Sequence, residues 1–207
     1  MRTVPGIMIM EYIPSILNPD IRITKLKDRF RLYTSFLHGN VGRATQALIY
    51  SCLYDSSVKT KTPYVHTTYT YLRKHFKIKH IINNFLLMMD DEVIQTDFID
   101  RLDFFGDGKK ATFRINLNVL PDIHRHKVPY VWCDKDIFTT KDKMTYIVYT
   151  YIKKLNNSKR TKKLATVDTL TKELNINKGN VYKAISTLSF NNLILWDRYK
   201  SPILTLP

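Results

Sequence analysis

The stretch LNINKGNVYKAISTLSFNNLILW, residues 174–196, decides the fold. Val181, Ala184, Ile185 and Leu188 recur at three- and four-residue spacing, which puts them on one side of a helix. Asn177 offers a side-chain oxygen to the unpaired N–H groups of a first turn and so marks the start. Beyond the helix, LILW is a short apolar run, DRYKSP a polar turn and ILTLP a returning strand. The other side of the helix carries Gly179, Asn180, Lys183, Ser186 and Thr187, with Tyr182 at the edge and no acid. Phe190 also falls outward, against the polar trend of that face.

Working back, KDKMTYIVYTYIKKLNN spaces Met144, Ile147, Val148, Tyr151, Ile152 and Leu155 as the inner face of an amphipathic helix. The basic connector NSKRTKK follows, and then TVDTLTKELN, with Thr166 as cap and Leu170 with Leu174 as an inward pair. Three helices closed by a β-hairpin, in about seventy residues, is the order of a winged helix.

The same order occurs once more, offset by roughly a hundred residues. RATQALIYSCLYDSS, HTTYTYLRKHF and KHIINNFLLMMDD supply three helices, and EVIQTDF with KKATFRINLNVLP supplies the hairpin, whose longer turn contains Gly-Asp-Gly. The expected fold class is α+β, mainly α, with two tandem winged-helix domains of three helices and a β-hairpin wing each. Residues 1–42 form an N-terminal extension in which RITKLKDRFRLYTSFL predicts a basic helix. Residues 43–121 form winged helix 1, 122–140 a linker and 141–207 winged helix 2.

Composition bounds the partners. The 207 residues are 44% hydrophobic, enough for a sizeable core. Lys and Arg number 33 against 18 acids, a net +15 that favours a polyanionic partner. The charge is denser toward the C-terminus: residues 1–121 carry +6 and the shorter 122–207 carry +9. The N-terminal apolar run is broken by Pro5, Glu11 and Pro14, so neither a signal peptide nor a membrane span is expected. Cys52 and Cys133 have no paired spacing, which argues against disulfide frameworks and four-Cys zinc sites and for a cytoplasmic setting.

Chemistry is sparsely encoded. His124 and His126 with Cys133 suggest a metal, but the spacing is atypical and a fourth ligand is lacking. The same histidines are similar to the His-hydrophobic-His motif of rolling-circle nicking enzymes, from which Arg125 departs. No phosphate-cradling Gly-x4-Gly-Lys-Ser/Thr loop occurs. The sequence therefore predicts no enzyme, no metal and no cofactor.

The expected partner is double-stranded DNA. Asn180, Tyr182, Lys183, Ser186 and Thr187 are the candidate base readers, because Asn and Lys pair with base edges in the major groove and hydroxyls serve either role. Lys153, Lys154, Lys159, Arg160, Lys162, Lys163, Lys178, Arg198 and Lys200 are the candidate backbone contacts, with Tyr199 at the wing tip. The first copy reads as a self-association module, since its third helix is apolar around much of its circumference and ends in Asp90, Asp91 and Glu92. Arg73, Lys74, Lys77 and Lys79 would give it lesser DNA contact.

MTYIVYTYI, ATVDTLTKELNINKGNVYKAISTLSFNNLI and SPILTLP resemble the winged helix of RepL-type plasmid replication proteins over about seventy residues. The tandem arrangement is similar to that of plasmid initiators in which one winged helix dimerises and the other reads repeated origin sites. These resemblances imply a DNA-binding homodimer of a plasmid, phage or similar element, in replication initiation or transcription regulation. The competing expectation is an adaptor of a virion or replisome that uses winged helices for protein contacts.

Overall fold

A computed structural model describes residues 22–37, 44–58, 62–79, 81–96, 112–117, 130–158, 163–197 and 200–206. The protein is α+β and mainly helical.

The C-terminal unit begins with α4 (Lys143–Asn157). Asp142 caps it, accepting from the Thr145 N–H at 3.0 Å and the Thr145 hydroxyl at 2.6 Å. Thr166 caps α5 (Val167–Leu174), which ends at Asn175 in the left-handed region, φ 55°. Asn177 accepts from the Asn180 N–H at 2.8 Å and opens α6 (Lys178–Phe190). The apolar faces foreseen for all three helices are buried except at Met144, which is only partly covered. Strands β6 (Ile194–Asp197) and β7 (Lys200–Thr205) close the unit as an antiparallel hairpin. The Ile203 N–H also donates to the Ala165 carbonyl at 2.7 Å, so the chain entering α5 touches the hairpin edge.

The N-terminal unit runs α1 (Ala44–Ser57), β2 (Tyr64–Thr68), α2 (Tyr69–Phe76), α3 (Ile81–Asp90), β3 (Ile94–Thr96) and β4 (Thr112–Leu117), with its sheet in the order β2-β4-β3. Here the expected second helix is corrected. His66–Thr68 belong to a strand, since Val65 and Thr67 turn inward while β4 supplies the ladder, and the helix starts only after Thr68 caps it.

The helix expected in RITKLKDRFRLYTSFL is not formed. Arg29–Tyr33 is strand β1, followed by a 3-10 turn at Thr34–Leu37. Ile23, Leu26, Phe30, Tyr33 and Leu37 do follow a helical spacing, but Arg29-Phe30-Arg31-Leu32 alternates strictly. The alternation wins because β5 (Tyr130–Asp134) pairs with it antiparallel, Arg29 opposite Asp134 and Tyr33 opposite Tyr130. The described part of the expected linker is therefore structural. Phe30, Leu32, Val131 and Cys133 bury one face of this ribbon. A 3-10 helix at Lys135–Thr139 then brings Phe138 within 5.6 Å of Phe30 and 4.7 Å of Phe76, centroid to centroid.

Asp55 of α1 fastens the ribbon. Its fully buried carboxylate accepts from Lys27 at 2.8 Å and from Arg31 at 2.6 and 2.8 Å. Buried residues of both units and of the ribbon belong to one hydrophobic core. The expected boundaries at 42 and 121 lie outside the described residues. No described helix is long and apolar enough to cross a membrane.

Candidate nucleic-acid interface

The outward face of α6 follows from its phase. With Val181, Ala184, Ile185 and Leu188 packed inside, Asn180, Lys183 and Ser186 stand exposed. Gly179 sits in the first turn, where an added Cβ would come no nearer than 3.5 Å to Asn177 Oδ1. Packing within the chain does not require glycine there.

Two expected base readers are less available. Thr187 is half-buried, and its hydroxyl donates to the Lys183 carbonyl at 3.0 Å, the back-bond that helical threonines form when no better acceptor is near. Tyr182 is 42% exposed and rests against Trp196, ring centroids 6.0 Å apart.

The expected phosphate contacts divide three ways. Lys153 is exposed and lies 5.3 Å above the Tyr149 ring. Lys163, Lys178 and Lys154 are engaged within the chain. Lys163 pairs with Glu173 at 2.6 Å, and Glu173 also accepts from the Tyr151 hydroxyl at 3.1 Å. The Lys163 hydrogen bond is the main reason that the Glu173 carboxyl is held below the usual range, against the opposing effect of burial. Burial beside Glu173 raises the Tyr151 phenol. Lys178 pairs with Asp168 at 3.1 Å on the surface. Lys154, although exposed, donates to the Tyr130 carbonyl at 2.6 Å, with the Tyr130 and Tyr151 rings 4.9 and 5.2 Å from its ammonium. Burial lowers its pKa.

Lys159, Arg160, Lys162, Arg198 and Tyr199 lie outside the described residues, as do His124 and His126; Lys200 opens β7. Cys133 is packed inside the ribbon, where burial pushes its thiol up to about 12. Among the described residues no group of three or more His, Cys, Asp or Glu could hold a metal ion. In the N-terminal unit, Arg73, Lys74, Lys77 and Lys79 are exposed at the end of α2, and Asp90, Asp91 and Glu92 are exposed at the end of α3.

Sequence reasoning missed a second basic and aromatic surface, on the outer face of the β1–β5 ribbon. Arg29 lies 5.2 Å from the exposed Trp132 ring. Arg31, held by Asp55, instead lies 5.6 and 5.8 Å from the rings of buried Tyr33 and half-buried Tyr130, so the open part of this surface is Arg29 with Trp132. The signal was the alternation in RFRLY and YVWCD, which puts the arginines, tyrosines and tryptophan on one side.

Comparison with protein families, with curated proteins and with solved structures finds no match to the chain.

Proposed function

We propose that the chain is a sequence-specific double-stranded DNA-binding protein of a plasmid, phage or similar element. It acts as a homodimeric, cytoplasmic replication initiator or transcription regulator and has no catalytic role. The fold behind this reading is two tandem winged helices, supported by the recurrence of three helices followed by antiparallel strands. The observation that carries the reading is the acid-free exposed row Asn180, Lys183 and Ser186, on a helix capped by Asn177 and opening at Gly179. Such a row suits base edges, and the open first turn suits a phosphate oxygen close to the helix N-terminus. Selection from a random duplex pool at about 0.15 M salt tests it, because non-specific phosphate binding is suppressed there. A recovered repeated or palindromic motif is the expected result. Folded protein that recovers no motif would refute the reading.

An adaptor role is the second reading, and one observation favours it. Phe190 is 87% exposed at the end of α6, and Leu193, Leu195, Leu204 and Leu206 are exposed on the neighbouring hairpin. Exposed apolar residues in such number suit protein contact.

A further inference from the structure

Outside the α6 face, the described residues form a groove of about 490 Å³ between the ribbon and α4. Its floor is the solvent side of α4, where Tyr146, Tyr149 and Lys153 recur at helical spacing, and its wall is Trp132 with Arg29 and Asp134. Three aromatic side chains and three cations, Arg29, Lys153 and the Tyr130-bound Lys154, line it, against one carboxylate that lies 3.9 Å from Arg29. Trp132 is 43% exposed although it is the largest side chain of the ribbon. Arg29 and Lys153 each lie beside an aromatic ring, so positive charge and stackable surface alternate along the groove.

We propose that this groove binds an unpaired polynucleotide strand, with bases stacking on Trp132 and Tyr149 and phosphates meeting Arg29 and Lys153. Every base has a π face that an aromatic ring can take up, and the cations track the backbone. A paired base inside a duplex is already stacked on both faces and cannot enter such a slot. The site is distinct from the duplex reader on α6 in both surface and ligand, so the two can fail separately.

The test measures binding of fluorescent oligothymidylate and oligouridylate, about fifteen nucleotides long, and of a duplex carrying the selected site. The proteins are the full chain and its Trp132→Leu, Lys153→Glu and Asn180→Ala variants, with folding checked by circular dichroism. Expected is a loss on the order of tenfold in single-strand affinity for Trp132→Leu and Lys153→Glu, with that of Asn180→Ala unchanged. Lys153 is exposed, so its variant keeps the test valid should Trp132→Leu fail to fold. Tighter binding of oligouridylate marks the natural strand as RNA, and tighter binding of oligothymidylate marks it as DNA. Absence of single-strand binding by the full chain, or unchanged binding by folded Trp132→Leu and Lys153→Glu, overturns the proposal. Loss of duplex selectivity alone sinks only the α6 reading.

Discussion

Arg31 of β1 reaches Asp55 of α1 through two contacts, at 2.6 and 2.8 Å, and the carboxylate it meets has no exposure to solvent. A buried carboxylate is tolerated only where cations and hydrogen bonds replace the water around it, and Lys27 supplies a further bond at 2.8 Å. Asp55→Asn keeps the shape and removes the charge. It should cost on the order of 3 kcal/mol, toward the lower end for a broken buried pair because both cations are partly exposed and can rehydrate. The melting temperature should drop by roughly 10 °C. A shift within a degree or two would mean that the triad does not hold the ribbon to α1.

Acid should loosen the contact between α4 and α5. The Glu173 carboxyl is held below its ordinary value, chiefly by the Lys163 hydrogen bond. Its folded pKa therefore lies below the unfolded one, and the stabilisation is complete above the unfolded value and lost as pH falls through the folded value. The difference in urea midpoint between the native chain and Glu173→Gln should be constant from about pH 7 to about 5 and should close below about 4. A difference that widened in acid would contradict the assignment.

Both cysteines should be silent in the folded protein. Cys52 and Cys133 are fully buried, and burial raises both thiols, leaving almost no thiolate at neutral pH. A thiol-exchange reagent should label the native chain at the rate of its unfolding, and both sulfurs promptly in denaturant. Rapid labelling of one equivalent under native conditions would show that the core around that cysteine opens locally.

On DNA, Lys200 and Lys163 should behave differently although both are expected phosphate contacts of the same unit. Removing Lys200 should lower the slope of log affinity against log salt by about 0.9, the share of one cation that neutralises a phosphate. Removing Lys163 should lower it by less, because Glu173 already offsets its charge. Asn180→Ala should cost about 1 to 3 kcal/mol on the selected site and little on random duplex. Equal losses on both duplexes would reject base reading by Asn180.

The elements legible in the sequence were those whose determinants are local. Asn177 and Thr166 cap the helices predicted from them, and Val181, Ala184, Ile185 and Leu188 pack where a 100° rotation per residue puts them. The outward direction of Phe190 was equally readable, since it depends on phase alone. Strand β1 was not legible, because its segment satisfies two periods and the choice was made by a partner about a hundred residues away. The same remoteness hid the groove, whose ribbon wall and helical floor meet only in the folded chain. Charge also reads differently once folded: the run around Lys154 and Lys163 contains no acid in sequence, yet Glu173 and the Tyr130 carbonyl claim two of its ammonium groups.

The ribbon has a mechanical consequence. Arg29, where the chain enters it, lies opposite Asp134, where the chain leaves, and the whole N-terminal unit hangs from the other end between Tyr33 and Tyr130. Tension between the two ends of the polypeptide therefore crosses the ribbon into α4, and it reaches that unit only through the contacts made ahead of the ribbon, where Thr24 bonds to His66 and Lys27 pairs with Asp55. Since the paired ends are pulled apart from one side, the ladder should peel one pair at a time. Along its own backbone, between Tyr33 and Tyr130, the N-terminal unit is stretched only after that last pair has opened.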